Sequence, residues 1–149
     1  AEVKPERPDI QWIPYRTPEH RPTATGSEVR WDEGFLDMKL LGAHNMQNLA
    51  AARQASHAMG LSHAAFDRNM ASFTGAARRL EVAQEDAGRA FTAFRDFAHA
   101  PSKLRATQAS VVGQFPDREV TAVFELHTFS SLSKAFLPQY KVTIFSCFF

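Results

Sequence analysis

Five of the eight prolines in this chain, Pro5, Pro8, Pro14, Pro18 and Pro22, fall within the first 30 residues. Proline fixes φ and removes a backbone donor, so no continuous helix runs through that stretch. Extended backbone is what remains available to it. The sequence predicts a short edge strand over Ile10–Tyr15 and a second strand region over Glu28–Leu40, broken at Gly34. Together these residues read as the irregular end of a larger sheet domain.

Regular structure is expected from Asn45 onward. Met46, Leu49, Ala50, Ala52, Ala55 and Met59 recur at helical spacing, with Asn45 as N-cap and Gly60 as the stop. A second helix is predicted from Ser62 to Phe73, with Phe66, Met70 and Phe73 on one face and Gly75 ending it. Gly75–Glu81 then reads as a loop. From Val82 the pattern turns to strands, with a turn at Glu85–Gly88 and a strand over Ala90–Phe97. Pro101-Ser102 opens a helix running to Gln114, and Glu119–Leu126 reads as an apolar strand. Strand, helix and strand at this spacing predict a parallel, right-handed βαβ unit. A short helix over Ser131–Gln139 and a buried strand over Lys141–Phe149 complete the reading. The expected fold class is α/β.

A net charge of +1 over 149 residues gives no electrostatic case for a nucleic-acid or membrane partner. No apolar run approaches the roughly 20 residues that span a bilayer. The lone Cys147 excludes an internal disulfide framework and suits a reducing, cytoplasmic setting. The chain begins at Ala1 rather than at Met, as a piece of a longer protein would. No CxxC, HExxH or carboxylate pair suggests a metal site, and His20, His57 and His63 read as solvent-facing.

Three polar clusters stand at element boundaries. In Gly42-Ala43-His44-Asn45-Met46-Gln47-Asn48, an asparagine amide offers a donor and an acceptor, matching the edge of adenine, and His44 can lie against the ring. The same residues also fit a loop glycine followed by a helix cap. In Arg78-Arg79-Leu80-Glu81, a guanidinium suits a phosphate bound bidentately, although a solvated basic turn has the same composition. In Arg95–Lys103, Asp96 and His99 stand beyond a predicted strand and before a helix, where open α/β sheets bind their ligands. There Asp96 is placed to accept from ribose and His99 to meet an anionic substrate; a surface histidine is the plainer alternative. A fourth stretch, Glu125–Ser131, follows the next strand at the same expected sheet edge.

In order and spacing these clusters resemble the Mur ligase family, the ATP-dependent amino-acid and peptide ligases of bacterial cell-wall synthesis. The matching motifs are Gly42-x-His44-Asn45-x-x-Asn48-x-x-Ala51-Ala52, Phe73-x-Gly75-x-x-Arg78-Arg79-Leu80-Glu81 and Asp96-Phe97-Ala98-His99-x-Pro101. The match extends from about Gly42 to Tyr140 and is most similar to the muramate-specific branch. The resemblance implies that residues 1–80 are the end of a central ATPase domain. It implies that residues 81–149 are the first half of a Rossmann-like C-terminal domain, cut short.

By the family pattern Asn45 would contact adenine, with His44 and Asn48 shaping the pocket. Arg79 would meet the terminal phosphate or acyl phosphate, and Asp96 the ribose. His99, Ser102, Lys103, His127 and Ser130 would face the substrate, with Arg79 and His99 as the catalytic pair. The implied partners are ATP with Mg²⁺, UDP-N-acetylmuramate, and an amino acid or murein peptide.

Three departures from the family pattern stand out. No GxxxxGK[ST] occurs, so the phosphate loop and most magnesium ligands are expected outside this chain, which would be inactive alone. Ala100 stands where a second histidine often follows His99. Lys141–Phe149 does not continue the family pattern and has the character of a foreign or frame-shifted tail. Two other readings stay open: a non-catalytic interaction module with the same fold, and a folylpolyglutamate-type ligase.

Overall fold

The computed structural model describes residues 9–86, 91–126 and 132–140. A three-stranded antiparallel sheet comes first, built as a meander of β1 (His20–Thr23), β2 (Gly26–Trp31) and β3 (Gly34–Met38). Two helices follow, α1 (Ala43–Ala58) and α2 (His63–Met70). An antiparallel hairpin of β4 (Glu81–Asp86) and β5 (Phe91–Arg95) comes next, and then α3 (Pro101–Gln114). Mixed helices and strands give the α/β class expected from the sequence.

The meander buries one face. Ser27 pairs with Met38 and Val29 with Leu36, so period-two alternation sends these four inward together with Trp31. Glu28, Arg30, Phe35 and Asp37 point outward, where the Arg21 and Arg30 guanidinium groups lie 4.6 and 5.6 Å from the Phe35 ring centre. Gly34 divides the predicted strand region into β2 and β3. It closes the two-residue turn Asp32-Glu33 with φ of 124°, a region that side chains avoid. Pro22 sits on β1, an edge strand of the sheet, where a missing N–H is tolerated. The Ser27 hydroxyl, buried with the core, donates to the Leu40 carbonyl at 2.9 Å.

Helix α1 covers this face because Met46, Leu49, Ala50 and Arg53 recur at three- and four-residue spacing. Its core partners are Val29, Met38, Leu40 and Phe66. The helix ends as Gly60 predicts. The Gly60 N–H donates to the His57 carbonyl (2.9 Å) and the Leu61 N–H to that of Ser56 (3.0 Å), a Schellman pair. Ser62 caps α2 by accepting from the Ala65 N–H at 3.3 Å. Arg53 locks the two helices together. Its Nε and Nη2 donate to the Asp67 carboxylate at 2.9 and 3.0 Å, and its guanidinium carbon lies 4.5 Å from the Trp31 ring centre.

Several expected elements take another form. Residues 9–19 contain no strand, and α2 stops at Met70 rather than reaching Phe73. The parallel βαβ unit does not form among the described residues: β5 pairs antiparallel with β4, and 119–126 holds no strand. A single helical turn spans 137–140 and is opened rather than ended by Pro138, as the missing N–H allows. Residues 127–131, the end of the turn predicted at Glu85–Gly88 and the segment Lys141–Phe149 lie outside the described residues.

Helix α3 packs back on the first unit at two points. The Gln114 side-chain amide donates to the Thr23 and Gly26 carbonyls at the β1–β2 turn. Near its middle, Ser110 presses against Gly42: a Cβ on Gly42 would sit 2.1 Å from Ser110 Oγ. Gly42 therefore has two reasons to be glycine, this approach and its φ of 85°.

Candidate functional site

The seam between α1, the loop before β4 and the start of α3 is open. It forms a cleft of about 660 Å³ whose lining includes His44, Asn45, Asn48, Arg79, Asp96, Ser102 and Lys103. Residues from three separated sequence clusters thus meet on one surface. The apolar part of the lining includes Leu40, Leu49, Met70, Phe73 and Ala98.

On the α1 wall, Asn45 is not the N-cap. Gly42 takes that position, its carbonyl accepting the N–H groups of Asn45 (3.0 Å) and Met46 (3.1 Å). Asn45 lies inside the first turn, and its Nδ2 donates to the Leu41 carbonyl at 2.9 Å. That bond fixes the amide and leaves its oxygen as an acceptor. The Asn48 side chain, one turn on, has no hydrogen-bond partner among the described residues.

His44 is held from the opposite helix, its Nδ1 lying 3.0 Å from Ser110 Oγ. Ser110 gives its one proton to the Ala106 carbonyl at 2.7 Å, so Nδ1–H is the donor of the pair. Nε2 then carries the ring's lone pair. Burial lowers the His44 pKa below its usual 6.5, against an opposing pull from the Asp96 carboxylate. A neutral ring that accepts through Nε2 is the form this environment favours.

On the loop wall, Arg79 is exposed, with its guanidinium carbon 5.9 Å from the Phe97 ring centre. It has no carboxylate partner among the described residues. Lys103 likewise stands in the first turn of α3 without an ion pair among them. Helix α3 starts at Pro101 with Ala100 as N-cap, so Ser102 lies inside the helix rather than capping it. The backbone N–H groups of Ser102 and Lys103 are therefore among the free donors of that helix end. Two unpaired cations beside a helix N-terminus suit an anion such as phosphate.

Asp96 is differently employed. Its Oδ1 accepts from the N–H of Leu80 (3.2 Å) and of Phe97 (2.9 Å), and its Oδ2 accepts from the Thr107 hydroxyl. A carboxylate so engaged is a poor cation ligand. Among the described residues no three His, Cys, Asp or Glu side chains gather as a metal site. Asp96 is the one carboxylate among the described lining residues, and its oxygens already accept three protein donors, so this lining does not suit Mg²⁺.

Of the other residues singled out in the sequence, His99 does not line the cleft. Its Nδ1–H lies 3.1 Å from the Phe97 carbonyl, its ring packs against Phe97, and its own carbonyl accepts from the Tyr140 hydroxyl at 2.6 Å. His127 and Ser130 lie outside the described residues. His57 and His63 are not simply solvent-facing: their ring centres are 4.2 Å apart across the α1–α2 connection. Sequence reasoning missed Thr107 and Ser110. The signal was present, because 103, 107 and 110 fall at helical spacing on one face of α3.

No family model matches the chain. It is 37% identical over 98 residues to the UDP-N-acetylmuramate–L-alanine ligase of Roseiflexus castenholzii, covering 66% of this chain and 20% of that protein. It is 33% identical over 138 residues to the ligase of the same name from Trichormus variabilis, covering 84% of this chain and 28% of that protein. The solved UDP-N-acetylmuramate–alanine ligase of Thermotoga maritima shares the fold, with a TM-score of 0.59 at 20% identity, over 68% of this chain and 25% of that one. The chain thus spans about a fifth to just over a quarter of these relatives' length. By sequence identity and by fold together, it belongs to the Mur ligase family.

Proposed function

We propose that this chain carries one wall of the ATP site of a peptidoglycan ligase that joins an amino acid to UDP-N-acetylmuramate. The observation that carries the reading is the convergence of His44, Asn45 and Asn48, of Arg79, and of Asp96, Ser102 and Lys103 on one cleft. The relatives' names supply the substrate class.

In this reading Asn45 Oδ1 and His44 Nε2 face the base as acceptors, and the apolar lining excludes water from the ring. Arg79, Lys103 and the first amides of α3 take the phosphate side, where preorganised positive charge counts most as phosphoryl charge moves. Bound ATP would supply the γ-phosphoryl group to a carboxylate, leaving ADP, and the amine would displace phosphate from the acyl phosphate to form the amide. The boundary between the ATPase part and the C-terminal part falls at Leu80. The phosphate loop, Mg²⁺ ligands and the rest of the substrate site belong to other parts of the ligase, in the bacterial cytoplasm. His99 is not among the described residues that line the cleft, so a substrate role for it requires a surface outside this wall.

Calorimetric titration of the 149-residue chain tests the reading. ATP is expected to bind more tightly than adenosine, and Arg79→Ala is expected to remove most of that difference. With ATP, UDP-N-acetylmuramate and L-alanine added, the chain alone is expected to release no phosphate. Equal affinity for ATP and adenosine, or an unchanged difference in the Arg79→Ala variant, would count against it.

A further inference from the structure

Arg79 has no carboxylate partner among the described residues, yet the backbone that presents it is under strain. Arg78 and Leu80 on either side have φ of 57° and 50°, the left-handed region that bulky side chains avoid. Such a turn persists only where its surroundings over-determine it. Here the restraints are visible. The Leu80 side chain is buried, and its N–H donates to Asp96 Oδ1 at 3.2 Å. The Arg78 carbonyl accepts the Phe97 N–H at 3.0 Å, and the Arg78 N–H donates to Glu81 at 2.8 Å. Asp96 closes this set: the same Oδ1 takes the Phe97 N–H, and Oδ2 takes the Thr107 hydroxyl from α3.

Resting on the nucleotide reading of the cleft, we propose that Asp96 is the positioning residue for Arg79. It ties the strained turn to the end of β5 and to α3, so that the guanidinium is held toward the phosphate side. A carboxylate has about four lone-pair sites, and three are occupied by these protein donors. What is left over is room for one ribose hydroxyl. The acid therefore acts on the phosphate end of the ligand without touching it. Loss of Asp96 lets the turn at Arg78–Leu80 relax to negative φ and swings Arg79 out of register.

A double-mutant cycle separates this from a ribose contact alone. ATP affinity is measured for the native chain, Arg79→Ala, Asp96→Ala and the double variant. Each single change is expected to weaken ATP by roughly tenfold or more, the range for a hydrogen bond to a charged group. Arg79→Ala is then expected to add less than about twofold once Asp96 is gone, because its partner is already misplaced. Asp96→Asn keeps the acceptor oxygen for Leu80 and Phe97, so it is expected to retain most of the affinity. Losses that multiply independently, or an Asn variant as weak as the Ala one, would overturn the proposal.

Backbone HN–Hα couplings of Arg78 and Leu80 give a readout that needs no ligand. They are expected to leave left-handed values in Asp96→Ala and to keep them in Asp96→Asn; unchanged couplings in the Ala variant refute the tether. If the native chain binds no ATP, the site reading fails while the couplings still decide the role of Asp96. If Asp96→Ala does not fold, Thr107→Val takes its place in the cycle with Arg79→Ala, and additive losses there count against the proposal.

Discussion

The sheet of β1–β3 and the hairpin of β4–β5 are both antiparallel ladders, but only the first is a closed unit. Val29 and Met46 are completely buried between the meander and α1, and Arg53 is buried with Asp67 against Trp31. Among the described residues of the hairpin none is buried, and Val82 and Phe91 are 50% and 48% exposed. The hairpin is tied to the rest by Asp96 at the end of β5, by the Arg118–Thr92 hydrogen bond and by Phe94 against the Phe115 ring. This contrast shows where stability and function separate. The packed unit supplies a rigid α1 wall, while the second supplies Arg79, Asp96 and α3 on tethers. The cleft belongs to the join, and it depends on bonds that contribute little to the core.

Stability measurements on the two regions give the sharpest contrast. Arg53→Ala removes the buried member of the pair, leaves the partly buried Asp67 without it, and is expected to cost about 3–5 kcal/mol in urea unfolding. Met46→Ala, which opens a cavity beneath the sheet, is expected to cost about 2–5 kcal/mol. Val82→Thr on the hairpin is expected to stay within about 0.5 kcal/mol. Equal losses at Met46 and Val82 would erase the distinction between the regions.

Gly42→Ala tests the point where they meet. The added methyl group collides with Ser110 at a left-handed φ, so a loss of about 1–3 kcal/mol is expected. Restoring room with Ser110→Gly is expected to recover part of it, whereas no recovery would locate the strain in the backbone alone.

The smallest effect is the pH dependence. The folded pKa of His44 lies below its ordinary value, so the unfolded chain binds more protons between the two pKa values. The His44 contribution is therefore complete above about pH 6.5 and is lost as pH falls through the lower folded pKa. Unfolding midpoints are expected to fall between pH 7.5 and pH 5 more steeply for the native chain than for His44→Phe. Equal slopes would remove His44 from the account.

The parts that were legible in the sequence are those that depend on local chemistry. Gly60 ends α1 through its own backbone freedom, and the spacing of Met46, Leu49 and Ala50 sets its buried face. The three clusters around Asn45, Arg79 and Asp96 were visible because amide, guanidinium and carboxylate groups stand at element ends. Non-local pairing was not legible. The apolar runs at Ile10–Tyr15 and Glu119–Leu126 have strand composition, but among the described residues nothing forms a ladder with them. Gly34 marked where its strand region divides, but not how, because one glycine fits both a break and a tight turn. The strain at Arg78 and Leu80 leaves no trace in residue type, since neither is a glycine or an asparagine. His99 lies three residues beyond Asp96, yet Asp96 is bonded to Leu80 and Thr107 while His99 is bonded to the Phe97 carbonyl.

The central claim is that one cleft, built from α1, the Arg79 turn and the start of α3, receives the nucleotide. Backbone amide shifts of the 149-residue chain followed during an ATP titration test this most directly. Saturable changes are expected to cluster at His44, Asn45, Asn48, Arg79, Leu80, Ser102 and Lys103, with the β2–β3 turn unaffected. Changes confined to other surfaces, or none at millimolar ATP, would contradict it.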